Sequence, residues 1–324
     1  MLTAGYTTHF SGRRKPGSTG PPQTKRPLRR SLRTVIAFHI FKRIILRESD
    51  LPDSNVFCSA RAYFPRGLVQ PEGSFRFSAD ALLLAAFTVR HCLPAFGPAS
   101  FLDLGCGCGV VGLACLLAVP ELTSTGIDVN PDLVAATRTN AASLGLEARY
   151  TTKVLDLISN KDTGWIPPGG FDAVAANMPF RLSGAGRIPR SESRACALVA
   201  NEFTIPAFLG SAKDALAPNG RLALIYPLND LERMLSALDR FGFSPLSLLP
   251  VISTRADSAR ILIAATHKQN QNFVPRHEPP LFLYSSPGGA YTEEALSFCP
   301  WMAPRPWSST PSQDYSATTP DMRT

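Results

Sequence analysis

Two sets of residues in this chain are suited to chemistry. The first is the tetrapeptide Asn177-Met178-Pro179-Phe180, which directly follows an apolar run, Phe171 to Ala176. An exocyclic amine on a nucleobase is a poor nucleophile, because its lone pair is delocalised into the ring. The Asn177 amide oxygen and the Met178 carbonyl can accept its two N–H hydrogens. That favours a pyramidal nitrogen and aims the lone pair at an electrophile held in line with it. Phe180 can stack on the flat base. Such chemistry needs no metal and no strong base. A flipped or single-stranded base fits it better than a paired one.

The second set lies in Phe101 to Asn130, FLDLGCGCGVVGLACLLAVPELTSTGIDVN. An apolar run carries Asp103 near its end. A glycine ladder follows (Gly105, Gly107, Gly109, Gly112), then a small-residue apolar helix, then a second short strand closing on Asp128. Strand, glycine turn, helix and strand form a unit that binds an adenosine-containing cofactor. Asp128 stands where a carboxylate can accept hydrogen bonds from both ribose hydroxyls, about 20 residues beyond the glycines. Two cofactors compete for this stretch, with a plain βαβ crossover as the third reading. Gly107-x-Gly109-x-x-Gly112 fits the dinucleotide pattern of NAD enzymes. The fuller Asp-Leu-Gly-Cys-Gly-Cys-Gly resembles motif I of class I S-adenosylmethionine (SAM) methyltransferases. The downstream tetrapeptide decides for SAM.

Taken together, the glycine turn, the acid after the second strand and the Asn-x-Pro-aromatic tetrapeptide resemble class I methyltransferases that modify planar nitrogens. More narrowly, GLVQPEGSFRFSADALLLAAF ahead of the glycine turn, with NMPFR and a Gly/Arg loop after it, resembles the tRNA1(Val) adenine-N6 methyltransferase family. The resemblance covers Arg66 to Thr266. It implies that Asp103, Gly105, Gly107 and Gly109 contact the methionine part of SAM. It further implies that Asp128 holds the ribose and Asp156 the adenine amino group, with Asn177 and Phe180 receiving the target. The departure is Met178, where the family usually has proline. Methionine lifts a φ restraint and keeps the backbone carbonyl.

These residues need a sheet to present them. Asp103, Asp128, Asp156 and Asn177 each sit at the end of an apolar run, and in open α/β sheets ligands bind at strand C-termini. All four are therefore expected on one sheet edge. Ser78 is a helix cap with Asp80 in the first turn, and Ala81 to Arg90 is a nearly all-apolar helix. Asn130-Pro131 caps the next helix, which stops at Gly145. Strands are expected near Ala148 to Leu155 and over Phe171 to Ala176, Arg221 to Tyr226, Phe243 to Val251 and Arg260 to Thr266. Helices are expected over Phe203 to Leu216, stopped by Pro218-Asn219-Gly220, and over Asp230 to Phe241. The alternation predicts an α/β Rossmann-like class I methyltransferase fold: a mostly parallel seven-stranded sheet, its last strand antiparallel, with helices on both faces. Leu281 to Tyr284 and Thr292 to Phe298 suggest one further strand and one short helix.

The chain has 324 residues, 44% of them hydrophobic, which suits one sizeable domain with appendages. Its net charge of +8 is unevenly spread: residues 1–50 hold 11 Lys/Arg and 2 acids, leaving 22 basic and 23 acidic residues elsewhere. The basic excess belongs to the N-terminal segment and says nothing of nucleic-acid binding by the core. The expected organisation is a basic disordered segment over 1–50, a methyltransferase domain over 56–267, a C-terminal appendage over 268–302 and a disordered tail over 303–324. Thr34 to Arg47 reads as a short amphipathic helix. The acid-free, Arg-rich start also fits an organellar transit peptide or residues added by an upstream start codon. Seven cysteines without paired CxxC spacing read as buried thiols in a reducing cytosol, not a zinc site. No apolar run reaches the roughly 18–20 residues that span a membrane.

The loop from Arg181 to Arg194 carries four arginines and one acid, Glu192. It reads either as a set of phosphate contacts or as solubilising charge. Trp165 reads as an RNA contact or a hydrophobic lid, and His91 and His267 as core or surface histidines. The expected activity is SAM-dependent N6 methylation of adenine in tRNA by a cytoplasmic, monomeric enzyme. The rivals are N5 methylation of a release-factor glutamine, guanine-N2 methylation of ribosomal RNA, a non-catalytic SAM-binding module and an NAD oxidoreductase. The release-factor reading lacks the long N-terminal helical domain those enzymes carry.

Overall fold

The computed structural model describes residues 60–74, 76–94, 97–159, 166–182, 199–200, 202–253, 259–268 and 274–304. Within them the chain runs α1 (Ala79–His91), β1 (Ala99–Leu104), α2 (Val110–Ala118), β2 (Leu122–Asp128), α3 (Pro131–Ser143), β3 (Tyr150–Val154) and β4 (Phe171–Ala176). It continues with β5 (Arg181–Leu182), β6 (Val199–Ala200), α4 (Thr204–Ala215), β7 (Leu216–Pro227), α5 (Leu231–Arg240), β8 (Phe243–Ile252) and β9 (Arg260–His267). Three short elements, β10 (Arg276–His277), β11 (Leu281–Phe282) and α6 (Glu293–Phe298), follow.

The main sheet has the order β3-β2-β1-β4-β7-β9-β8, extended at β8 by β10 and β11. Strands β3, β2, β1, β4 and β7 are mutually parallel. Strand β9 runs antiparallel between β7 and β8. Because β1 to β4 follow one direction, their C-terminal ends open on one edge, and the loops after them share one crevice.

Period-two alternation divides the core between the two faces. Ala99 and Phe101 of β1, Ala173 and Ala175 of β4, and Leu262 and Ala264 of β9 pack with α1, α2 and α3 on one face. Leu102 and Leu104, Val174 and Ala176, and Ile261 and Ile263 pack with α4 and α5 on the other. Strands covered on both faces read as continuous apolar runs, which is why they were visible as such in the sequence. Helix α1 begins as its sequence dictates. The Ser78 hydroxyl accepts from Asp80 N, and residues Ala81 to Thr88 are all buried. Helix α3 is capped by the Asn130 side chain, which accepts from Asp132 N and Leu133 N, with Pro131 in the first turn.

Two local expectations change. Helix α4 ends at Ala215, and Leu216 already pairs with Phe171 of β4. The Pro218-Asn219-Gly220 turn is a bulge inside β7, so pairing resumes at Arg221 opposite Ala173. Gly220 is needed there, since a Cβ would lie 3.0 Å from the Phe171 carbonyl oxygen and 2.7 Å from Leu216 Cδ2. Strands β5 and β6 form a separate parallel pair not anticipated from the sequence.

The residues after β9 close the far side of α1. The Cys299 thiol donates to the Leu82 carbonyl (3.5 Å), Arg90 donates to the Ser297 carbonyl (2.9 Å), and Trp301 meets Phe64 edge-on at 6.0 Å. Leu281, Leu283, Ala295, Trp301 and Met302 belong to the same buried cluster as α1 and α2. The five described cysteines are buried and unpaired. Among the described residues no helix is long and apolar enough to cross a membrane. The segment Thr34 to Arg47, Trp165, and Arg187, Arg190 and Arg194 lie outside the described residues.

Candidate active site

The C-terminal ends of β1, β2, β3 and β4 surround a cavity of about 680 Å³, within the usual range for a small-molecule site. Gly105, Gly107, Asp128, Asp156, Asn177, Met178, Pro179 and Phe180 all line it. The sequence-predicted residues from three different loops thus face one volume. Asp103 and Gly109 are not among the lining residues.

The glycine turn is held from below and from the side. Gly105 N and Cys106 N both donate to the Ile127 carbonyl, at 2.8 and 2.9 Å. Gly107, at φ +57°, carries its N–H to Asp128 Oδ2 at 2.9 Å. The other Asp128 oxygen accepts from Asn130 N at 2.9 Å. A carboxylate has about four acceptor positions, so Asp128 keeps capacity for a vicinal diol after anchoring the turn. Burial raises its pKa, against the lowering effect of the backbone N–H groups of Asn130, Gly107 and Val129. Asp156 accepts from Ile158 N (2.9 Å) and Ser159 N (3.3 Å), an Asx turn that fixes the loop after β3.

Asp103 has a different place from the one the resemblance implies. Its carboxylate does not face the cavity. It lies under the turn on the α2 face of the sheet, accepting from Gly112 N (3.0 Å) and from the Tyr150 hydroxyl (3.4 Å). The physical reason is the strand period: Asp103 shares the face of Phe101, which α2 covers. Burial pushes its pKa up to about 7, with the Gly112 and Tyr150 hydrogen bonds opposing and the Asp128 charge adding to the rise. Gly109 is the N-cap of α2 at φ 88°, and a Cβ there would meet Thr137 Cγ2 at 2.8 Å.

Two supports were not singled out by the sequence reading. The Thr137 hydroxyl donates to the Gly107 carbonyl at 2.8 Å. The Asn140 amide donates to the Cys108 carbonyl (2.9 Å) and the Val69 carbonyl (3.0 Å), and its oxygen accepts from Val69 N at 2.7 Å. The signal was available: Thr137 and Asn140 are polar residues on the buried stripe of α3 with Leu133, Val134 and Ala141. Burial raises the thiol of Cys108 to about 12 and drives that of Cys106 well above its ordinary value. Both stay protonated as small wall residues.

The wall opposite the glycine turn carries the tetrapeptide. Met178 is 1% exposed and its side chain fills the core cluster beneath α4. A side chain at this position serves packing, which a methionine does as well as a proline. Phe180 meets Tyr226 edge-on at 6.5 Å. Phe77, Asp80, Arg260 and Tyr284 complete this end of the cavity. Val129 and Ile158, 48% and 43% exposed, line the end between β2 and β3.

These walls fit SAM. The glycine turn admits a ligand close to the backbone, Asp128 has acceptor capacity for a ribose, and Val129, Leu157 and Ile158 offer apolar surface for a purine. A parallel sheet with one antiparallel strand, a glycine turn after β1 and an acid closing β2 define a class I SAM-dependent methyltransferase, with SAM as its cofactor. The chain belongs to the methyltransferase small domain family, whose model matches residues 76–238. The tRNA1(Val) (adenine(37)-N6)-methyltransferase of Porphyromonas gingivalis strain W83 is 26% identical over 210 residues, 64% of this chain and 75% of that protein. The human MTRF1L release factor glutamine methyltransferase is 28% identical over 90 residues, 28% of this chain and 27% of that one. A predicted O-methyltransferase, Atu636 of Agrobacterium tumefaciens, has a TM-score of 0.52 and 18% identity over 69% of this chain and 97% of its own. That likeness concerns the fold alone.

Proposed function

We propose that the protein methylates the N6 amino group of an adenine in tRNA. The observation that carries this reading is the sharing of one cavity by Asp128, at the end of β2, and by Asn177 to Phe180, after β4. SAM supplies an electrophilic methyl on a sulfonium. In this reading the Asn177 amide oxygen and the Met178 carbonyl accept the two hydrogens of the target amine and turn its lone pair toward that methyl. Phe180 holds the base flat, Asp128 holds the cofactor ribose, and Asp156 accepts from the adenine amino group of the cofactor. Asp103 acts at one remove, by keeping Gly112 and so the start of α2 in place. No general base is required, since the nitrogen loses its proton after transfer. Three aromatic side chains at this end, Phe77, Phe180 and Tyr284, suit a planar base. The relatives named for tRNA adenine methylation support the substrate class.

The second reading is N5 methylation of a glutamine side chain, favoured by the human release-factor relative. A glutamine amide is also a planar nitrogen with two hydrogens, and the same acceptors would serve it. The methyltransferase unit is proposed to span residues 56–267, acting as a cytoplasmic monomer.

Incubation with methyl-labelled SAM and either total RNA or total protein, followed by mass analysis, tests the choice. The expected product is labelled N6-methyladenosine in the tRNA fraction. Labelled glutamine with no labelled nucleoside replaces the proposal by the second reading. Asn177→Ala should retain SAM binding and lose about 100-fold or more in kcat, the scale on which misplaced reacting groups cost rate. Wild-type turnover in that variant would refute the clamp.

A further inference from the structure

Arg260 opens β9 and Asp80 sits in the first turn of α1, 180 residues apart in sequence, yet their side chains meet at one side of the cavity. Arg260 Nε donates to Asp80 Oδ2 at 3.0 Å. The guanidinium carbon lies over the ring of Phe180, 4.8 Å from its centroid. Both partners are largely shielded, at 18% and 21% exposure. Phe180 is thus held twice, by Tyr226 at its edge and by the guanidinium on one face, which leaves the opposite face for a ligand.

We propose that Arg260, clamped by Asp80, is a positioning residue that orients the Phe180 ring for the methyl acceptor. The inference rests on the reading of Phe180 as the surface that receives the substrate. The physical case has three parts. A planar, delocalised guanidinium stacks on an aromatic face in a way that an ammonium does not. The Asp80 carboxylate is favoured where it stands, in the first turn of a helix whose N-terminus carries partial positive charge. And Phe180 lies four residues beyond the end of β4, on a connection rather than in the sheet, so its ring needs an external restraint. The pair joins the first helix of the fold to its antiparallel strand, and Pro179 sets the chain direction into the ring.

Two measurements on the full-length protein test the assignment. The first needs no acceptor: with SAM bound, ring-labelled phenylalanine resonances are compared in wild type, Arg260→Met and Asp80→Asn, with Phe180→Leu giving the assignment. The Phe180 signal should shift or broaden in both variants while that of Phe101, buried in the sheet, stays. The second is kinetic, using RNA as acceptor. Arg260→Met should lower kcat/KM about three- to thirtyfold, the range spanned by cation–aromatic contacts, with SAM affinity within about threefold of wild type. Arg260→Lys, which keeps a cation and an ion-pair partner, should recover part of the loss. An unmoved Phe180 signal overturns the proposal, as does a moved signal with unchanged kcat/KM. If wild type labels protein and not RNA, the tRNA reading fails; the ring signal and the same kcat/KM comparison on the labelled acceptor then still decide this one.

Discussion

Replacing Asp128 by asparagine probes the cofactor half of the site most directly. The carboxylate uses one oxygen on Gly107 N and the other on Asn130 N, each at 2.9 Å. The remaining acceptor capacity faces the cavity, one position per oxygen, which matches the two hydroxyls of a ribose. Asparagine of the same shape keeps one oxygen and replaces the other by an NH2. One backbone N–H then faces a donor, one ribose hydroxyl loses its acceptor, and the surviving bonds become neutral. A hydrogen bond to a charged group contributes about 1.5–3 kcal/mol, so SAM binding should weaken by about 2–4 kcal/mol. That corresponds to about 30- to 1,000-fold in Kd. The fold itself should suffer less, because burial already raises the Asp128 pKa and a neutral amide relieves that desolvation. The assay is calorimetric titration with SAM, alongside melting with and without ligand. The variant should melt within a few degrees of wild type when free and show little of the SAM-induced rise. Binding of SAM within threefold of wild type would refute the role of Asp128 as the ribose acceptor.

Asp103 makes stability depend on pH. The unfolded chain releases this proton near the ordinary 3.8 and the folded protein near 7. Between those values the native state holds the extra proton, so stability falls as pH rises, by up to about 1.4 kcal/mol per pH unit, and levels above 7. Asp103→Asn should flatten that slope in urea melts from pH 5 to 7; an unchanged slope would show that another group is responsible. Gly112→Ala should destabilise by about 1–3 kcal/mol, because the new methyl collides with the Tyr150 hydroxyl that donates to Asp103. Thermal melting checks this, and a wild-type midpoint would mean that Tyr150 moves aside freely.

How far the sequence revealed the site depended on the range of each interaction. Strands β1, β2 and β4 were legible because a doubly covered parallel strand must be apolar throughout, so a polar residue at its end stands out. Asp128 and Asn177 were found this way. Asp103 was found and misplaced. Its strand position is local information, but the helix covering its face is decided by how α2 packs. The Arg260–Asp80 pair was invisible, since nothing near either residue announces a partner 180 positions away. The Pro218-Asn219-Gly220 turn carried the right local chemistry, yet tertiary pairing of Leu216 with Phe171 set where the helix stopped.

The seating of Cys299, Trp301 and Met302 against Leu82 and its neighbours bears on how the protein is born. Helix α1 emerges from the ribosome some two hundred residues before the segment that shields its outer side. Until translation reaches that segment, the nascent polypeptide presents an oily ridge to the cell, open to chaperones. Release from the exit tunnel, and not synthesis of the cofactor-binding half, is then the event that completes the fold.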